Sequence, residues 1–321
     1  QLVERARPGA TTHYALLGAL SRSRNMALVD GILKLLESGE NSVGVAMAAE
    51  VMGWRRQRES VPLLLRRLRK GQNLNVRRAA VVALGRIGDP SAIEALLPCI
   101  EEPELTEPAA VALLLLGEWK GLDEQAQALA HQRPNASQTL GEIVGRYGGP
   151  SYLLLLLRAA DFEGSQALGA ILGLGYLGDP RVVPRLIEYT ASRNTSLSHA
   201  ASQALETLTG HYESIEESLL RVRWLEWWEQ NEGAFQTGQR YRHGVLMTSK
   251  LLIDRMGHDD SLVRRTCYDE LVISTGVRLP SDVDGPWRVQ CAHRRAWGAW
   301  WRKNGATQPK GAWLFHGKVI G

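Results

Sequence analysis

The sequence predicts an all-α solenoid, a row of antiparallel helix pairs closed by a Trp-rich C-terminal module. Three observations predict it. One helical hairpin is directly legible, it returns at a fixed period, and a longer duplication overlies the last third of the chain.

The hairpin is Val76–Ile100. Val76, Ala79, Ala80, Ala83, Leu84 and Ile87 recur at three- and four-residue intervals, so they form one apolar helix face, and the small Ala side chains admit a close neighbour. Gly88 suits the left-handed position that ends a helix, Asp89 can cap, and Pro90 opens the next helix, where its missing N–H costs nothing. Ile93, Leu96, Leu97 and Ile100 give the returning helix its own stripe. Such a pair cannot bury both faces alone, so it needs similar neighbours.

Positions equivalent to Gly85 fall at Gly18, Gly53, Gly117, Gly145, Gly175, Glu206 and Val272. They lie about 28–35 residues apart, except for a last step of close to twice that, and this period means a solenoid of about seven or eight pairs. Returning helices are expected at Leu28–Leu36, Ser60–Lys70, Ser91–Ile100, Leu122–Ala130, Pro150–Arg158, Arg181–Ala191 and Val245–Met256. The last third differs. A W-x-x-W-W-x-x-N pattern occurs at Trp224, Trp227, Trp228 and Asn231 and again at Trp297, Trp300, Trp301 and Asn304. Each copy follows a Leu-x-x-x-Thr-Gly helix end, at Leu205–Gly210 and Leu271–Gly276. Between the Trp segments, Gly233–Gly244 reads as an extended Gly-rich loop. The expected division is a repeat array over 1–210 and a Trp-rich module over 211–321, continuous with the array and containing a further helix pair.

Val76–Arg77–Arg78, Ala83–Leu84, Gly88–Asp89–Pro90, Gly178–Asp179–Pro180 and Val263–Arg264–Arg265 together resemble the HEAT-repeat family, in particular its short-repeat branch first noted in phycobilin lyases. The resemblance covers roughly residues 10–275. It implies a HEAT-type α-solenoid, a right-handed superhelix with the Val76-type helices on the concave side and the Ser91-type helices on the convex side. The C-terminal part is similar to uncharacterised bacterial HEAT-like proteins, some encoded near type VI secretion genes. That similarity implies an accessory or adaptor role in a larger assembly.

Composition agrees with a packed protein. The 321 residues are 44% apolar and 22% charged, and no apolar run approaches the roughly 18–20 residues that span a bilayer. Cys99, Cys267 and Cys291 are widely spaced and odd in number, which predicts reduced, buried thiols and a cytoplasmic setting. The chain begins at Gln1 with no recognisable signal sequence, and on this reading its start is processed or trimmed. Net charge is +4 and the pI about 9.0, too mild to demand nucleic acid.

Distribution of charge and of Trp supplies the candidate residues. Between Arg55 and Arg78 lie nine basic residues against the single acid Glu59. Arg77 and Arg78 are expected to bond a neighbouring turn through Asp89, whereas Arg66, Arg67, Arg69 and Lys70 suit the C-terminal end of an outer helix. Three Trp at i, i+3 and i+4 make a broad aromatic face that serves either as a capping core or as an anchor for a partner. The candidate partner-binding residues are Arg55, Arg56, Arg77 and Arg78 near the N-terminal end and Trp224, Trp227, Arg240, Tyr241 and Trp301 near the C-terminal end. The histidines are scattered, with Cys291-x-His293 the one close Cys/His pairing, and no phosphate-binding loop, nucleophile elbow or dinucleotide fingerprint appears.

The expected function is a non-enzymatic cytoplasmic scaffold or adaptor that presents its concave face to a protein partner, without cofactor, metal or membrane insertion. A polyanion or nucleic-acid binder using the Arg55–Arg78 face is the runner-up. A lyase or DNA glycosylase stands third, with Trp119 and Asp123 as the glycosylase-like pair.

Overall fold

Three of the helices that stack on one another begin on Asn and end on a left-handed residue. Asn41, Asn73 and Asn194 accept hydrogen bonds from the first free backbone N–H groups, and Arg56, Gly88 and Gly210 close the far ends at φ 52°, 80° and 73°. Each side-chain cap contributes about 1 kcal/mol. Asp89 and Asp179 likewise accept from Ser91 and Arg181 backbone N–H groups ahead of Pro90 and Pro180, so the returning helices start as the sequence predicts.

In the computed structural model, residues 11–131, 138–162, 164–213, 217–279, 282–283 and 285–321 are described. The described chain forms two compact units, each assembled from separated segments: residues 1–121, 253–272 and 278–299, and residues 122–252, 273–277 and 300–321. The expected division at residue 210 therefore falls inside the second unit, because later segments return to pack on both.

The first unit holds α1 (Thr11–Arg22), α2 (Met26–Ser38), α3 (Ser42–Arg55), α4 (Val61–Leu68), α5 (Leu74–Ile87), α6 (Ile93–Leu96) and α7 (Thr106–Leu116). Helices α1, α3, α5 and α7 stack in series, with α2, α4 and α6 lying back on them. Backbones approach so closely that a Cβ built on Gly53 would lie 2.7 Å from the Ala83 Cα, and one on Gly85 would lie 2.6 Å from the Ala112 Cα. At Gly53 and Gly85 the periodic glycine is a packing requirement, whereas Gly117 is the left-handed residue that ends α7. Around this seam Met47, Met52, Leu64, Leu84, Leu96 and Leu113 are fully buried.

The second unit takes most of α8 (Lys120–Ala130), then α9 (Gln138–Tyr147), α10 (Leu153–Ala160), α11 (Ser165–Leu177), α12 (Val183–Tyr189), α13 (Thr195–Thr209) and α14 (Glu217–Asn231). Helices α9, α11 and α13 stack, with Gly145 against Gly173 and a Gly175 Cβ position 2.6 Å from the Ala204 Cα. Helix α14 packs on α12.

The C-terminal third departs from the sequence expectation. Tyr241–Arg242 (β1) and Val245–Leu246 (β2) form a two-residue-turn hairpin, so the next helix, α15, runs only over Ser249–Arg255 and not from Val245. The segment read as a Gly-rich loop, Gly233–Gly244, begins inside a one-turn helix, Glu232–Ala234, is a loop over 235–240 and ends in β1 and its turn. After α16 (Ser261–Thr275) and α17 (Trp287–Asn304) the same device returns as a helical turn at Gly305–Thr307 and a hairpin of β3 (Leu314–Phe315) and β4 (Lys318–Val319). Both turns are His-Gly with positive φ, 52° and 76° at His243–Gly244 and 46° and 80° at His316–Gly317. Each hairpin docks on the Thr-Gly end of a helix: His243 and Gly244 N–H donate to the Thr207 and Leu208 carbonyls, and His316 and Gly317 N–H donate to those of Ile273 and Ser274. The duplicated unit thus runs from the Leu-x-x-x-Thr-Gly helix through the Trp helix to a hairpin that caps it.

Candidate interaction surfaces

The last carbonyls of a helix lack partners and carry partial negative charge, so they attract guanidinium groups. Much of the basic run is spent in this way. Arg55 donates to the carbonyls of Leu20, Ser21 and Ser23 at the end of α1. Arg67 donates to Leu36, Glu37 and Gly39 at the end of α2. Arg56 donates to the Arg278 and Leu279 carbonyls. Burial, then the nearby Arg278 charge, lowers the Arg56 pKa to about 10. Arg77, 8% exposed, donates to Leu68 and forms a bidentate pair with Glu102 at 2.7 and 2.8 Å. The Arg77 hydrogen bond holds the Glu102 carboxyl below its usual range. Glu102, not Asp89, is therefore the partner of Arg77, since Asp89 is engaged with the Ser91 N–H. Arg78 remains largely exposed and loosely paired with Glu107 at 3.7 Å.

A later arginine completes the pattern. Arg278 donates to Gly85, Arg86 and Leu115, which tie the C-terminal ends of α5 and α7 together. Beside it Tyr268 lies 6.4 Å from Trp54, and Arg86 sits over the Trp54 ring at 4.0 Å. The chain's own returning segment therefore covers helix ends that the sequence offers to a partner. Arg55, Arg56 and Arg77 are corrected to structural ties, with Arg78 alone left outward.

The C-terminal candidates divide in the same way. Trp224 has no exposure, lies edge-on to His211 and Trp227, and is core. Arg240, 4% exposed, donates to Arg146 and Tyr176 at the ends of α9 and α11, and Arg242 also reaches Tyr176. Tyr241, also 4% exposed, is fixed by bonds from its phenol to Ala234 and from the Gln236 N–H. Trp224, Arg240 and Tyr241 are therefore corrected from contact residues to internal ones. Trp227 stacks on His211 at 4.5 Å and 6°, and Trp301 covers Gly305; both are half-buried. Asn231 and Asn304 donate to the Trp227 and Trp300 carbonyls, so the eight-residue pattern is a helix-ending device.

Chemistry of other kinds finds its groups engaged. A hollow of about 280 Å³ in the first unit is lined by Ser21, Arg22, Trp54, Arg55, Arg56, Asp282 and His293. There Arg22 pairs with Asp282, and His293 Nδ1 accepts from the Asp282 N–H at 2.7 Å, while burial lowers the His293 pKa against the opposing Asp282 charge. Asp123 accepts a 2.5 Å bond from the Tyr152 phenol. Among the described residues no three His, Cys, Asp or Glu side chains gather as metal ligands, and no helix is long and apolar enough to cross a membrane. Cys99 and Cys267 are buried, whereas Cys291 is half-exposed, which corrects the expectation for that thiol.

Among the described residues, exposed surfaces on α14 and α17 stand out, and neither was singled out from the sequence. On α14, Leu219, Val222 and Leu225 are 48%, 49% and 37% exposed, and Tyr212 just before it is 67% exposed. Spacings of three place the helix residues within about a third of its circumference. At the start of α17, Trp287 is 61% exposed beside Arg288, Cys291, Arg294 and Arg295 around a hollow of about 650 Å³. The first surface hides in sequence because Trp224, Trp227 and Trp228 leave α14 without a single apolar stripe. The second stands out only once the end of the preceding segment is placed.

Comparison with known proteins supports the repeat assignment. The profile for HEAT repeats matches residues 29–117, and that for the PBS lyase HEAT-like repeat matches residues 167–192. No curated protein matches the chain. Among solved structures, the complex of CpcE and CpcF of phycocyanin lyase from Nostoc sp. PCC7120 is similar at 18% identity, covering 76% of this chain and 76% of that chain, with a TM-score of 0.32. The fold is an all-α HEAT-type solenoid.

Proposed function

We propose that this chain is a non-enzymatic interaction scaffold that binds a protein partner through the outward face of α14. One observation carries the reading. When Trp224 is aligned with Trp297, Leu219, Val222 and Leu225 fall opposite Ala292, Arg295 and Gly298 in the duplicate helix. The fold of the module therefore does not require apolar side chains there, yet this copy keeps three of them in water. A contiguous exposed apolar face on a packed helix is the mark of a contact surface, and the three-residue spacing suits an amphipathic helix of the partner. A polyanion role through Arg55–Arg78 is the weaker reading, because Arg55, Arg56, Arg67 and Arg77 are bonded to backbone carbonyls. An accessory role in a bacterial secretion assembly rests on sequence resemblance alone.

The test is a Leu219→Glu, Leu225→Glu double variant. Both side chains are solvent-facing, so helicity and melting should match the native chain while a partner isolated with the native chain is lost. Retention of that partner at native affinity overturns the α14 assignment.

A further inference from the structure

We propose that the first turns of α17 form a docking site for an acidic peptide segment of a protein partner, one that carries an aliphatic or aromatic side chain beside its carboxylates. The site goes beyond the α14 face and stands on separate observations. Helix α17, WRVQCAHRRAWGAWWRKN, contains no Asp or Glu. Within its first turns Arg288, Arg294 and Arg295 surround the hollow of about 650 Å³, and among the described residues no carboxylate lies within ion-pairing distance of any of them. Elsewhere in the molecule exposed arginines do find acids: Arg66 pairs with Glu37, Arg185 with Asp161 and Glu188, and Arg223 with Glu226.

Nor are these three arginines consumed as helix-end ties to other elements. Arg295 bonds only back to the Cys291 carbonyl at 3.3 Å, and Arg294 lies against the Gly257 backbone with its guanidinium 5.6 Å from the Trp287 ring. The result is a cationic concavity with a large indole at its rim. Guanidinium groups recognise carboxylates through paired N–H donors, while the exposed part of Trp287 offers apolar area for a neighbouring side chain. Compactness decides the ligand class. The cluster spans the first turns of one helix, which matches a short acidic segment better than a nucleic-acid backbone that needs a continuous basic track with successive stacking rings.

The experiment uses the full chain and a fluorescein-labelled peptide of about eight residues built from Asp, Glu, Leu and Phe, read by fluorescence anisotropy at low and moderate salt. Two further probes are the same peptide with Lys in place of its acids and a labelled oligothymidylate of matched charge. The acidic peptide should bind saturably, and Arg288→Glu with Arg295→Glu should weaken it about tenfold or more. Trp287→Ala should weaken it several-fold, with helicity and melting unchanged in both variants because these side chains face solvent. Absence of saturable binding to the native chain, or an affinity unmoved by both variants, overturns the proposal. So does equally tight binding of oligothymidylate lost in the same variants, which would reassign the site to phosphate polyanions. The Leu219→Glu, Leu225→Glu variant should bind the peptide like the native chain, so failure here and failure of the α14 reading are told apart.

Discussion

Arg278 shows what single side chains do in this fold. Its guanidinium satisfies carbonyls on α5 and α7 together, and in its place Ala would leave those acceptors without the cation. Arg278→Ala should cost about 2–4 kcal/mol in urea denaturation, whereas Arg78→Ala, which loses an exposed and long ion pair, should cost under about 1 kcal/mol. Equal effects would contradict the assignment. Asp269 sits in the same neighbourhood with its Oδ1 closed off from solvent and without a partner. Burial raises its pKa, outweighing the opposing charges of Arg86, Arg265 and Arg278. A raised folded-state pKa means that the folded chain holds the proton more tightly than the unfolded chain. Its contribution to stability is therefore complete below the ordinary carboxylate value and is lost as pH rises through the raised one. Asp269→Asn should remove that component and flatten urea midpoints measured across this window; an unchanged pH slope would sink the idea. At this scale the caps were legible, since Gly88, Asp89 and Pro90 act locally. The Arg77–Glu102 pair was not, because its partner lies 25 residues away and nearer acids compete in any reading of sequence.

The hairpins are the part of the architecture that patterning alone did not reveal. Each strand has two residues, too few for alternation to register, and their His-Gly turns lack the Asn-Gly or Asp-Gly pair that signals such a turn. The stacked helices were legible by contrast, because period and glycine position coincide with physical contacts such as Gly85 on Ala112. The two hairpin glycines give a matched test. Both need positive φ, but a Cβ on Gly244 would meet the Thr209 carbonyl oxygen at 2.5 Å, while one on Gly317 would meet only the Thr275 oxygen at 3.5 Å. Gly317→Ala should cost about 1–2 kcal/mol from conformation alone. Gly244→Ala should cost clearly more, since the hairpin must lift from the end of α13; equal costs in thermal or urea unfolding would argue that the hairpin is loosely held.

For the molecule as a whole, the division between structural and available chemistry decides function. Charge reversal at Arg55 and Arg56, candidate contact residues from the sequence, should instead lower the melting temperature, because it removes donors from five backbone carbonyls, those of Leu20, Ser21, Ser23, Arg278 and Leu279, with Arg56 also over the Tyr268 ring at 5.8 Å. Native melting in that variant, together with lost binding, would restore the basic face as the site. What sequence reasoning could not separate was which indoles and guanidiniums the fold consumes, since Trp224 and Trp287 are alike in type and opposite in exposure, 0% and 61%. The most direct test of the scaffold reading is site-specific photo-crosslinking in the native cell, with a benzophenone side chain placed at Val222. The account predicts a discrete protein adduct from position 222 that disappears with Leu219→Glu and Leu225→Glu. No adduct at 222, or one that survives those substitutions, would contradict it.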